Sequence, residues 1–264
     1  MKKTRIIVGI IILLAVIAIG GVAAVKMGLI VIGDVDKEYY KVRGITVSEV
    51  DGEINWATVA NVDKISYAFV RATQGTIIKD TKFVYNFNTA IKNGIIVGPY
   101  HEFSIDCTGK AQATHFINTY RSKAAEVVPP TVKVFMESDS MKEQEVTTLK
   151  TELEVMMKEL YNKYDKEPIL YTDNMTYQEY LRDDKELDIY PIFIENTMYQ
   201  PMIIDDREWT FWQYDRDAQF KGVKTKVARS VYVSDAKDFS YFWKGDFLSQ
   251  QREFNEREKN AQKQ

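Results

Sequence analysis

A single cysteine, Cys107, excludes an intramolecular disulfide and any cysteine-based zinc site. Histidine is nearly as scarce: His101 and His115 form no metal motif, so neither a metal nor another cofactor is expected. No Gly-x-Gly-x-x-Gly follows the first apolar run, which removes the signature of a dinucleotide site. Excess positive charge is missing too. With Lys2, Lys3 and Arg5 set aside, 32 basic residues face 38 acidic ones, a net charge of −6. Such a surface is not drawn to polyanions, so nucleic acid is not an expected partner. There is no internal repeat.

What is present begins with residues 6–25, a run of twenty without a charge, preceded by Lys2, Lys3 and Arg5. At about 1.5 Å per residue, a helix of that length spans a hydrocarbon core of roughly 30 Å. The flanking cations favour a cytoplasmic N-terminus and an extracellular remainder. The run is longer than the apolar core of a secretory signal, which favours an uncleaved anchor in the cell membrane. Cleavage near Ala23-Ala24 is the alternative and would release a secreted protein. This divides the chain into an anchor over 1–33, a short charged stalk over 34–42, a globular domain over 43–249 and a polar tail over 250–264.

Apolar, β-rich runs recur at 44–50, 64–72, 94–103, 131–137, 168–172, 189–195, 209–214 and 227–233, giving eight expected strands. Helical periodicity fills the earlier gaps, at 81–92, 109–125, 141–164 and 175–181. The third of these places Leu149, Leu153, Met156, Met157 and Leu160 at three- and four-residue spacing. Such alternation implies a parallel sheet covered by helices. The last three strands lie close together and are expected to connect as hairpins. The fold class is therefore α/β, an irregular TIM-like (β/α) barrel with helices mainly around the first five strands, preceded by a transmembrane helix. A doubly wound open sheet is the runner-up.

Several fragments carry a family resemblance. They are Gly44-Ile45-Thr46-Val47-Ser48 followed by Gly52-Glu53-Ile54-Asn55-Trp56; Phe69-Val70-Arg71-Ala72-Thr73-Gln74-Gly75; and Gly94-Ile95-Ile96-Val97-Gly98-Pro99-Tyr100-His101. Leu170-Tyr171-Thr172 and Trp212-Gln213-Tyr214 come later. In order and spacing they resemble glycoside hydrolase family 25, the lysozymes that cleave between N-acetylmuramic acid and N-acetylglucosamine in peptidoglycan. The resemblance implies an eight-stranded barrel with its site at the C-terminal strand ends. Thr46, Arg71, Tyr100, Glu137, Tyr171, Glu195 and Trp212 would then gather at one mouth. Peptidoglycan or a related wall glycan is the implied partner, and another envelope protein is an alternative one.

The chemistry departs from the family at three strands. The family's Asp-x-Glu on the fourth strand is Phe135-Met136-Glu137 here, so Glu137 keeps the place of the general acid while its partner is an aromatic ring. The first-strand aspartate is Thr46, and the aspartate of the final strand is Ala228. Retaining hydrolysis uses two carboxylates about 5–5.5 Å apart, or else the substrate's own acetamido group oriented by the aspartate. Glu195 and Asp139 are the candidate substitutes, with Glu102 and Asp173 also at strand ends. Catalysis is therefore expected to be lost or strongly impaired, with an active muramidase built on Glu137 and a substituted carboxylate as the alternative. Tyr100, Tyr171, Trp212 and Tyr214 offer rings for sugars; core packing is the competing role, the stronger one for Trp212 and Tyr214. Arg71 would orient site carboxylates, either for substrate or as a structural ion pair. His101 is expected to fix a loop through hydrogen bonds.

Overall fold

Alternation along each β-rich run turns one set of side chains inward and the other toward a helical layer, and strand pairing then closes the sheet on itself. The structure, a computed structural model, describes residues 35–36, 38–121, 127–136, 141–201 and 207–244, with Ile17 and Gly20. Its strands are β1 (Arg43–Val47), β2 (Tyr67–Gln74), β3 (Ile78–Lys79), β4 (Ile96–Glu102), β5 (Thr131–Val134), β6 (Ile169–Asp173), β7 (Ile192–Glu195), β8 (Phe211–Ala218) and β9 (Val227–Tyr232). The order β1-β9-β8-β7-β6-β5-β4-β2, with β1 also paired to β2, is a closed barrel of eight strands, and β3 is an extra strand on the edge of β2. All pairings from β1–β2 round to β7–β8 are parallel, while β9 runs antiparallel to both β8 and β1.

The expected hairpin between β7 and β8 is therefore corrected to a parallel crossover; only β8–β9 is a hairpin. The chain over 196–210 is long enough for such a return, which takes about a dozen residues or more.

The helices are α1 (Trp56–Asn61), α2 (Phe83–Lys92), α3 (Gly109–Thr119), α4 (Glu143–Tyr164), α5 (Asn174–Thr176), which runs into a π-turn over Tyr177–Leu181, and α6 (Ala236–Lys244). α4 buries Leu149, Leu153, Met156, Met157 and Leu160, the apolar stripe of its sequence. It passes so close to α3 that a Cβ on Gly109 would lie 1.8 Å from the Glu152 carbonyl oxygen, and the Gly109 N–H donates to the Glu152 carboxylate at 2.7 Å.

Aromatic rings fill the barrel. Tyr67, Phe69, Phe193, Phe211 and Tyr232 pack together, and Phe239 and Phe242 of α6 close the N-terminal end beneath them. The interior is thus a packed core, and only the C-terminal end remains for a site.

The segment expected as a stalk, 34–42, packs against the domain where it is described. Val35, Tyr40 and Val42 are buried, and Tyr40 lies against Trp209 and Trp212. Among the described residues no helix is long and apolar enough to cross a membrane. The expected anchor over 6–25, apart from Ile17 and Gly20, lies outside the described residues, as do Glu137, Asp139 and the polar tail.

His101 joins three elements from a fully buried position. Its Nδ1 pairs with Thr73 Oγ1 on β2 at 2.7 Å and its Nε2 with Gln112 Oε1 on α3 at 3.0 Å. Burial pushes its imidazole down to about 4. The unfolded chain takes up this proton near pH 6.5 and the folded one near 4. Stability is then fully present above about pH 6.5 and falls as pH drops toward 4, by about 3 kcal/mol for this group. Urea denaturation across that window should show the loss, and His101→Gln should flatten it; an unchanged pH slope in the variant would contradict this role.

Candidate active site

The mouth is built by inward-facing residues at the last turns of the strands. Thr46, Arg71, Tyr100, Lys133, Tyr171 and Glu195 line one cavity of about 480 Å³ together with Gln213, Arg216 and Ala228. Sequence reasoning placed Thr46, Arg71, Tyr100, Tyr171 and Glu195 here, and the structure brings them together. The positions of two expected carboxylates, Thr46 and Ala228, are register partners on β1 and β9. Phe135, at the third, faces the same cavity one residue beyond β5.

Trp212 is the exception among the expected mouth residues. Its neighbour Gln213 faces the mouth, so alternation turns Trp212 outward, where it packs against Trp209 and Tyr40. Its Nε1 donates to the Asn196 carbonyl at 2.8 Å. It is a core residue. Tyr100 and Tyr171 are 3% and 1% exposed, so they form the floor of the cavity and offer little ring area for stacking. Burial pushes both phenols well above their ordinary value, so both stay protonated as hydrogen-bond donors. Tyr171 lies flat on Phe193 at 3.9 Å, and its hydroxyl donates to Gln213 Oε1.

Three cations organise the carboxylates of the mouth. Arg71 spreads its guanidinium over Glu49 at 3.2 Å, Asp80 at 3.1 Å and Glu102 at 2.9 Å, tying together the loop after β1, the start of α2 and the end of β4. Lys133 reaches Glu102 from β5 at 3.2 Å and lies over the rings of Phe135, Tyr171 and Tyr100, at 4.8, 5.6 and 5.9 Å. Burial opposes ionisation of Glu102, but Lys133 and Arg71 together hold its carboxyl below the usual carboxylate range. Arg216 clasps Glu195 through two guanidinium nitrogens, and Gln213 Nε2 donates to the same carboxylate. Burial pushes the Glu195 carboxyl up, and Arg216 offsets only part of that rise.

The remaining acids at the mouth are engaged as caps. Asp51 accepts from Ser48 N at 2.8 Å and Thr225 Oγ1 at 2.9 Å, while Asp173 accepts from Thr176 N at 2.8 Å and Thr176 Oγ1 at 3.1 Å. Among the described residues no cluster of acidic, histidine or cysteine side chains is arranged to hold a metal ion. Sequence reasoning missed Lys133 and Arg216. Lys133 had a signal, since residues 131, 133 and 135 share a face; Arg216 had none, because bulges in β8 set where it points.

A second cleft, about 620 Å³, opens beside the first between the ends of β6 and β7. Phe135, Glu195 and Arg216 belong to both clefts and form the partition between them.

Comparison with known proteins fits this geometry. Residues 45–223 match the glycosyl hydrolases family 25. A family 25 glycosyl hydrolase from Bacillus anthracis superposes with a TM-score of 0.71 at 29% identity, over 81% of this chain and 97% of that one. A bacterial lysozyme from Streptomyces coelicolor shares the fold, with a TM-score of 0.70 at 24% identity over 78% of this chain and 98% of that one. The uncharacterised Escherichia coli protein YegX is 26% identical over 210 residues, 78% of this chain and 75% of its own length. Lysozyme M1 of Streptomyces globisporus is 42% identical over a shorter stretch of 76 residues, 28% of this chain and 26% of that protein. With the closed barrel, the site at its C-terminal mouth and a family match over most of the domain, the chain belongs to the glycosyl hydrolases family 25.

Proposed function

We propose that this protein is a lysozyme-like component of the cell envelope that holds peptidoglycan or a related wall glycan in its barrel mouth, with hydrolysis lost or strongly impaired. Its residues 6–25 would anchor it in the cell membrane, with the barrel on the outer side. A family 25 fold supports a wall-glycan ligand and a peptidoglycan-hydrolase ancestry. The observation that carries the impaired reading is Phe135, which stands at the mouth where the family resemblance expects an aspartate, two residues from an inward-facing lysine.

Glycoside cleavage passes through an oxocarbenium-like transition state and needs a nearby anion to stabilise it. Among the described carboxylates of this mouth, Glu102 and Glu195 are committed to cations and Asp51 and Asp173 to capping bonds. Lys133 adds charge of the wrong sign. A cation roughly 5 Å from a developing positive charge opposes it by about 3 kcal/mol at an effective dielectric constant near 20, partly offset here by Glu102. Glu137, the general acid by family resemblance, could protonate the leaving group but not stabilise the oxocarbenium-like charge, so the roughly 10²- to 10⁴-fold that general acid catalysis contributes in a complete site (about 3–5 kcal/mol) is not realised here.

A second reading, an active muramidase with a substituted carboxylate, draws on one observation. Asp173 and Glu195 are register partners on adjacent strands, and both line the second cleft. Strands lie about 4.8 Å apart, close to the spacing a retaining pair requires. The clasp of Arg216 on Glu195 weighs against it. Asp139 is the other substitute this reading could use.

Restoring the acids distinguishes the two. The triple variant Thr46→Asp, Phe135→Asp, Ala228→Asp should release reducing ends from purified peptidoglycan at least about tenfold faster than the parent, with the gain abolished by Glu137→Gln. The parent should still be retained on insoluble peptidoglycan. A parent already as fast as the triple variant would contradict the proposal.

A further inference from the structure

The second cleft has a lining unlike that of the mouth. Beyond the shared partition of Phe135, Glu195 and Arg216, its walls carry Met136, Met175 and Met198, and its own polar residues include Asp173 and Asn196. Three thioethers form a flexible apolar surface suited to aliphatic groups. They provide no flat platform of the kind sugars stack upon.

Asn196 gives the cleft its direction. It is 6% exposed, and its Oδ1 accepts from the backbone N–H groups of Met198 at 3.1 Å and Tyr199 at 3.3 Å, which fixes the side-chain amide. Its Nδ2 is buried and has no partner among the described residues. An unmet buried donor is costly, so a ligand acceptor delivered to it gains selectivity. Asp173 offers the complement, since each of its oxygens accepts one bond from Thr176 and keeps a free lone pair. The Arg216 side chain is 63% exposed and retains donors beyond those on Glu195. A donor, an acceptor and a cation around apolar walls match a peptide: carbonyl to Asn196, amide N–H to Asp173, carboxylate or carbonyl to Arg216, and small aliphatic side chains against the methionines.

We infer that the cleft between the ends of β6 and β7 is a subsite for the short peptide branch of a wall glycan, recognised through its amide groups and small aliphatic side chains. This rests on the mouth holding the glycan strand, as proposed above. The partition of Phe135, Glu195 and Arg216 places the branch beside the sugar, as a substituent on the strand requires.

The test compares the full-length protein in detergent micelles, by titration calorimetry, with a peptide-free N-acetylated glycan strand, the same strand carrying its peptide, and the peptide alone. The peptide-bearing strand should bind about tenfold or more tightly than the bare one. Asn196→Asp keeps an acceptor oxygen for the loop N–H groups and exchanges the amide donor for a second carboxyl oxygen; it should erase the gain and leave bare-strand affinity unchanged. Met198→Ala, at a residue 42% exposed, should reduce the gain without touching the polar groups. Equal affinity for both strands, or a gain that survives in both variants, overturns the subsite while leaving the glycan reading intact. The subsite is equally overturned if bare-strand binding, in place of the gain, is lost in Asn196→Asp, which would assign the cleft to the sugar N-acetyl group. If neither strand binds, the glycan reading fails; peptide binding that Asn196→Asp abolishes would still support the subsite, and no peptide binding would sink it as well.

Discussion

The guanidinium of Arg71, spread over three carboxylates, is the contact on which the geometry of the mouth depends. Glu49 follows β1, Asp80 precedes α2 and Glu102 ends β4, so one side chain sets the relative position of three loops. The Asp80 carboxylate is fully buried and also accepts from the backbone N–H groups of Glu49 at 2.7 Å and Lys82 at 2.9 Å. Lys133 and Arg216 extend the same pattern around the rim. Glu49, Asp80, Glu102 and Glu195, which could otherwise face a substrate, are absorbed into ion pairs, while Asp51 and Asp173 are tied into capping bonds.

That network sits on a scaffold indifferent to its chemistry. The barrel is filled by Tyr67, Phe69, Phe193, Phe211 and Tyr232 and sealed below by α6, so its stability rests on aromatic packing far from the strand ends. A chain with this interior tolerates exchange of Asp for Thr46, Phe135 or Ala228 at the mouth without loss of fold. Binding and cleavage can therefore part company. A groove that holds a glycan needs shape and hydrogen bonds, whereas cleavage also needs uncompensated negative charge at the scissile bond.

Much of the architecture was legible in the sequence because burial imposes periodicity. The eight expected strands correspond to the eight of the barrel, with ends shifted by a few residues, and the stripe of α4 was visible at three- and four-residue spacing. β3 went unseen because two exposed residues make no pattern, and α1 and α6 because they are short. The crossover from β7 to β8 was not legible because nearness in sequence says little about strand direction. At the site, alternation was the reliable guide: it explains why Tyr171 and Glu195 face the mouth and Trp212 does not. The partnership of Arg216 with Glu195 depends on bulges in β8, which no local pattern announces.

A mouth with Phe135 in place of a carboxylate, and with its remaining described acids held by cations or capping bonds, does not turn over glycan at a useful rate. Release of reducing ends from purified peptidoglycan by the contaminant-free parent protein, measured beside its Glu137→Gln variant, tests this most directly. The two should be indistinguishable, both near the uncatalysed background. Rapid release by the parent that Glu137→Gln abolishes would contradict it.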